Sequence, residues 1–318
     1  MKVLSKIKML FAATAIASVM MPTAAIADNG ETPGIGSMVI MSGLKNPWDM
    51  AFTKDGSMFF TEKCDGLSVK TASGVTKLYG MKGSKGYGAT GSDLFCEGQA
   101  GMLGVTLDPK FASNRTLYLY STSNKYHGDG CKTNFEKCDG NIVMKFKVAK
   151  DLSKVSGRTD IVKDIQYKPF KSDQPFGGPG AHNGGRMVFG PDGYLYVGTG
   201  DRHRGICGQD NSILCSVVLR IDGNGKAHPK NKVKGDKRIF TYGHRNVQGI
   251  AVRPSDGAIF TAEHGPWHND EITKLVSGGN GGWDPAEKRA GRKACPDKYC
   301  GYEPNQMEGM TPAVRAAY

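Results

Sequence analysis

In the stretch GPGAHNGGR, Gly178 to Arg186, one histidine sits among four glycines, a proline and an arginine. An imidazole in such a loop suits two roles. It can be a turn residue that hydrogen-bonds its own backbone, or a general base that a substrate can reach. A base needs a partner that fixes its far nitrogen and makes it more basic, and a carboxylate serves best. The next segment, GRMVFGPDGYLYVGTG (Gly185 to Gly200), reads as two short strands around a turn near Asp192. Paired positions in an antiparallel hairpin add to a constant, so His182 is expected across from Asp201 or Arg202. The pairing therefore brings a carboxylate to the imidazole.

The same arithmetic applies to QGIAVRPSDGAIFTAE (Gln248 to Glu263), whose turn lies near Asp256. It sets Arg245 and Asn246 of GHRNVQG near Gly265 and Pro266 of EHGP. A third hairpin, MLGVTLDPKFASNRTLYLYST, is preceded by CEGQAG and its Gln99. Two metal motifs are weaker. HGPWH spaces His264 and His268 as i and i+4, which aligns ligands only on a helix, and the intervening Gly-Pro opposes one. DGNGK, from Asp222, opens like a calcium loop but lacks the distal glutamate, and reads as a turn.

The elements that carry these residues repeat. Apolar strand, tight turn with Asp and often Gly, apolar strand recurs at Trp48 to Glu62, Met102 to Thr122, Gly185 to Gly200 and Gln248 to Glu263. Further short strands, such as IVMKFKV and VVLRIDG, lie between them, and no long helical period is visible. A β-sandwich also has many short strands, but one hairpin recurring with similar flanks favours a β-propeller. As blades, the units would point their open ends to one face and converge on the axis, with the tight turns on the other. Four units are visible and a propeller must close its ring to bury its blade faces, so the fold is expected to be incomplete at the C-terminal end.

The chain of 318 residues carries a formal charge of +12. Its basic residues are scattered without a long run, which disfavours nucleic acid and suits an anionic small molecule or surface. Lys2, Lys6 and Lys8, the apolar run Met9 to Met21 and Ala25-Ile26-Ala27 read as a signal peptide spanning 1–27. That run is too short to cross a bilayer, and no later one is longer, so no transmembrane segment is expected. Residues 28–318 then form the exported domain, periplasmic or secreted. Eight cysteines without a CxxC pair fit disulfides better than zinc: Cys64 with Cys96, Cys131 with Cys138, Cys207 with Cys215, Cys295 with Cys300.

Four segments in order, GQAGMLGVTLDPKF, HNGGRMVFGPDGYLYVGTGD, YGHRNVQGIAVRP and EHGPWHNDEI, resemble the soluble quinoprotein sugar dehydrogenases, the glucose/sorbosone dehydrogenase family. The resemblance implies an all-β, six-bladed β-propeller that holds pyrroloquinoline quinone (PQQ) with Ca²⁺. It implies that His182 is the catalytic base that deprotonates the anomeric hydroxyl as hydride leaves C1, and that Asp201 orients it. Arg245 and Asn246 would sit at the quinone oxygens, and Gln99 and Gln248 would contact cofactor or sugar. The carbonyls of Gly265 and Pro266 would bind calcium, and Glu271 a second, structural calcium. A small sugar is the implied substrate, with an external electron acceptor, and a homodimer is left open. After Glu271 no segment matches the family's cationic residues that grip the cofactor carboxylates. KACPDKYCGYEPNQMEG reads instead as a stapled insertion, and RHRGICGQ, after Asp201, as an enlarged loop. The competing readings are a non-catalytic extracellular binding propeller and a calcium-dependent lactonase-like hydrolase.

Overall fold

The computed structural model describes residues 36–128, 138–169, 178–265 and 270–284. The chain divides into two units, Met1–Gly43 and Leu44–Tyr318. Of the first unit, residues 36–43 are described; they form no strand and leave Met38, Val39 and Ile40 exposed. The expected signal peptide and the Cys295–Cys300 insertion lie outside the described residues.

The second unit is built from four consecutive sheets. The first holds β1 (Pro47–Phe52), β2 (Met58–Glu62), β3 (Gly66–Thr71), β4 (Gly74–Gly80) and the short β5 (Ala89–Thr90). The second holds β6 (Met102–Leu107), β7 (Thr116–Thr122), β8 (Asp139–Val148) and β9 (Val155–Gln166). The third holds β10 (Met187–Phe189), β11 (Leu195–Gly198), β12 (Val217–Ile221) and β13 (Ile239–Tyr242). The last holds β14 (Val247–Val252), β15 (Ile259–Glu263) and β16 (Glu271–Lys274). Strands pair in chain order, antiparallel throughout except for β5 on β4. Each predicted hairpin unit supplies the first two strands of one sheet, and IVMKFKV and VVLRIDG fall on β8 and β12. Helix among the described residues is limited to Phe111–Asn114 and a 3-10 turn at Gly205–Gln209.

Alternation along the strands explains the stacking. In β7, Leu117 and Leu119 pack with Phe59, Leu67 and Val69 of the first sheet. Tyr118 and Tyr120 point the other way, to Val197, Leu219 and Ile221 of the third. In β11, Tyr196 joins Val218, Phe240, Val247 and Ile259 between the third and fourth sheets. Successive side chains of one strand thus serve two neighbouring sheets, so β7 and β11 are buried along their whole length. Four sheets joined face to face through three such cores are propeller blades rather than the two layers of a sandwich.

The first strands of the sheets stand together, β1 beside β6, β6 beside β10, and β10 beside β14. Asp49 on β1 accepts from Val105 N–H of β6 at 3.0 Å and forms an ion pair with Arg186, just before β10. Arg186 in turn donates from Nε to the Gln248 carbonyl of β14 at 3.1 Å. Two charged side chains therefore tie the inner strands of all four sheets. Disulfides join Cys64 to Cys96 and Cys207 to Cys215, as expected from sequence. Cys138 is also disulfide-bonded; its expected partner, Cys131, lies outside the described residues. Among the described residues no helix is long and apolar enough to cross a membrane.

Candidate active site

The hairpin ends opposite the tight turns line a cavity of about 540 Å³. The first sheet contributes Asn46, Trp48 and Lys63, the segment before the second contributes Gln99, and the loop before the third contributes His182. Arg245, Asn246, Gln248, His264 and Gly265 come from the flanks of β14 and β15. The convergence predicted from hairpin arithmetic is thus realised for Gln99, His182, Arg245, Asn246 and Gly265, and Gln248, expected only from the resemblance, lines the same cavity. Pro266 lies outside the described residues. Glu271 stands apart, in a second cavity of about 470 Å³ with Glu263 and Asp270, and its Oε2 accepts from the Thr273 hydroxyl at 3.3 Å.

The register of β10 and β11 pairs Met187 with Val197, which carries His182 opposite Arg202 and beside Asp201. His182 Nδ1 lies 2.6 Å from Asp201 Oδ1, and both residues are buried. A carboxylate can only accept, so Nδ1 carries the proton and Nε2 is left with the lone pair that a base requires. The His182 N–H donates to Gln99 Oε1 at 3.2 Å, and the His182 carbonyl accepts from Arg202 N–H at 3.3 Å. Its neighbour Asn183 is held through its carbonyl by the Tyr120 hydroxyl at 2.8 Å and through Oδ1 by Asn141 at 2.9 Å. These contacts keep His182 at φ 54°, with Arg202 and His203 also left-handed at 47° and 57°. Such backbone is costly for residues with a Cβ and persists where its surroundings enforce it.

Asp201 receives three donors. His182 and the His203 N–H reach Oδ1, the latter at 2.8 Å, and the Trp283 indole N–H reaches Oδ2 at 2.8 Å. Burial by itself would raise the Asp201 carboxyl, but His182, Arg245 and His203 outweigh it and hold the group below the usual carboxylate range. The site therefore keeps a fixed negative charge behind its imidazole. Arg245 donates from Nη1 to the His264 carbonyl at 3.0 Å and lies over the Trp283 ring, 5.5 Å from its centroid. Asn246 Oδ1 accepts from Gly184 N–H at 3.0 Å, locking the fourth sheet to the histidine loop.

Gly180 and Gly184, on either side of His182, serve close packing. A Cβ on Gly184, which has φ +62°, would lie 2.5 Å from the Thr199 Cα, and one on Gly180 would strike the Ala100 side chain. They bring loop and neighbouring strand into contact, rather than clearing space for a bound molecule. A second histidine sharpens the reading of the first. His244 Nδ1 meets Glu263 Oε2 at 2.9 Å, nineteen residues apart like His182 and Asp201. Its Nε2, however, is occupied by the Thr241 hydroxyl at 2.8 Å, so this imidazole has no nitrogen left for chemistry.

Asn46, Trp48 and Lys63 were not among the expected site residues, although the pairing of Pro47 with Glu62 sets Asn46 against Lys63 by the same sum. Nor was Trp283, which is 82 residues from Asp201 and has no local signal.

Fold and site together define a β-propeller whose blade ends surround a cavity built on a histidine–carboxylate pair. Residues 44–314 match the glucose/sorbosone dehydrogenase family, and the chain belongs to that family. It is 32% identical over 252 residues to aldose sugar dehydrogenase YliI of Escherichia coli, covering 77% of this chain and 60% of that protein. It is 27% identical over 269 residues to quinoprotein glucose dehydrogenase B of Acinetobacter calcoaceticus, covering 77% and 51%. The chain thus spans less than two thirds of the length of these relatives. Among solved structures, the PQQ-bound aldose sugar dehydrogenase of Streptomyces coelicolor superposes with a TM-score of 0.63 at 25% identity, over 84% of this chain and 68% of that one.

Proposed function

We propose that the protein oxidises an aldose, or a related aldehyde sugar such as sorbosone, at C1 to the lactone or acid. PQQ would be its cofactor, calcium its metal, and an external electron acceptor its outlet. The observation that carries this reading is the His182–Asp201 pair, 2.6 Å apart, at a cavity also walled by Arg245 and Lys63. The relatives named as quinoproteins or as PQQ-bound support it.

The lining suits the cofactor. A planar quinone with three carboxylates needs cations and amide donors around it, and Lys63, Arg245, Asn46, Gln99 and Asn246 supply them, with no carboxylate among the described lining residues. The volume also falls in the range of small-molecule sites, roughly 300–1,000 Å³. When bound, the quinone supplies the two-electron acceptor for the hydride from C1. His182 takes the proton of the anomeric hydroxyl on Nε2, and Asp201 balances the imidazolium that results. Arg245 places positive charge where an oxyanion would develop, and the Trp283 face beneath it keeps it aimed into the cavity. Gly265 lines the cavity, and its backbone carbonyl would serve as a calcium ligand, oxygen being what that cation prefers.

A ring of six blades fits the outer sheets, where Met50 and Phe52 on β1 and Ile272 on β16 are exposed apolar side chains. The disulfides fit export through a signal peptide to the periplasm or beyond. To test the role of His182, His182→Gln is compared with wild type after loading with PQQ and calcium. We expect kcat to fall by roughly 10²–10⁴ with PQQ affinity little changed. Parallel loss of PQQ binding would make His182 a structural residue.

A further inference from the structure

We propose that Trp283 is the positioning residue of this site, holding Asp201 with its indole N–H and Arg245 with its ring face. The inference deepens the reading of His182 as a base and rests on it. Trp283 follows β16 in the chain, yet it is buried beside the third sheet's catalytic pair. Its Nε1 donates to Asp201 Oδ2 at 2.8 Å, the oxygen that His182 does not use. The opposite oxygen already takes His182 and the His203 N–H, so the indole is what stops the carboxylate from rotating away from the imidazole. The same ring lies under the Arg245 guanidinium at 5.5 Å, a cation–π contact between the two charged walls of the site.

The ring is itself anchored at the backbone. The Trp283 N–H donates to the Gly243 carbonyl at 2.9 Å, and its carbonyl accepts from Gln209 Nε2 at 2.8 Å. Gln209 belongs to the 3-10 turn inside the loop closed by Cys207–Cys215. A line of contacts therefore runs from the stapled loop through Trp283 to Asp201 and His182. This gives the enlarged loop after Asp201 a purpose: it holds the tryptophan against the carboxylate.

The test uses the cofactor-free protein, so it does not depend on whether sugar is oxidised. His182 is titrated by side-chain ¹H–¹⁵N NMR in wild type and in Trp283→Phe, which keeps a ring under Arg245 and removes the N–H. The charged and titratable groups shown at the pair are Arg245, His203 and, behind His203, Lys168, and all are retained in the variant. Without the indole donor Asp201 becomes a stronger base and holds the imidazolium more tightly, so the His182 titration in Trp283→Phe should move to higher pH than in wild type, whatever the change in Tm. In the wild type the Trp283 indole resonance should shift with the midpoint of His182, a measurement that needs no variant to fold. A His182 midpoint that stays or falls in Trp283→Phe, or an indole signal indifferent to that titration, would overturn the proposal. Failure of sugar oxidation with this coupling intact would sink the proposed activity alone.

Discussion

Two buried histidines with carboxylates behind them differ in what their second ring nitrogen meets. His182 lines the cavity with Nε2 unclaimed by Asp201, whereas His244 spends one nitrogen on Glu263 and the other on Thr241. The difference yields a contrast between matched variants. His244→Gln should cost about 1–3 kcal/mol in urea unfolding, because it leaves buried partners unsatisfied. Its effect on turnover at temperatures where it is folded should be slight beside that of His182→Gln. A comparable loss of kcat in both would remove the distinction between base and structural residue. The sequence made His182 legible because its partner lies within one hairpin, where register is a matter of local counting. Trp283 was not legible, since its contact with Asp201 crosses from the segment after one sheet to the edge of another.

Sheets are joined by alternating side chains on the central strands, and at the rim by charge. Arg158 on β9 makes a bidentate pair with Asp93 at 2.7 Å, reaches Asp160 at 2.7 Å and donates to the Tyr79 hydroxyl of β4 at 3.3 Å. Burial pushes the Asp93 and Asp160 carboxyls up, but the Arg158 guanidinium and neighbouring donors bring both below the ordinary value. Carboxylates depressed in the folded state stabilise it above their unfolded pKa, and that contribution is lost as pH falls through their folded values. Arg158→Gln should therefore lower stability at pH 7 by about 2 kcal/mol, with the gap to wild type closing as pH drops below about 4. Unfolding curves at both pH values check it; a gap that is constant with pH would mean that the clamp works by packing alone. Hairpins and their order were readable because β-branched and aromatic residues alternate around Asp-Gly turns. This rim network was hidden, because nothing near Arg158 in the chain marks Asp93, 65 residues earlier, as its partner.

Across the whole molecule, the propeller turns local hairpin ends into a single site. Each blade brings one or a few polar groups, and the Asp49–Arg186 pair at the centre keeps the inner strands in place. The repeat pattern made that convergence readable for the second, third and fourth sheets. The first sheet's share, Asn46, Trp48 and Lys63, follows the same hairpin sum, but that these ends reach the common cavity shows only in the fold, where β1 lies beside β6. A wall of amides, lysine and arginine suits the proposed anionic redox cofactor, and the histidine–carboxylate pair suits the proposed sugar hydroxyl. The most direct measurement is reduction of an electron-accepting dye by the protein loaded with PQQ and calcium, across a panel of aldoses. Dye reduction that depends on both quinone and sugar is expected. Absence of quinone binding, together with no dye reduction by any aldose of the panel, would contradict it.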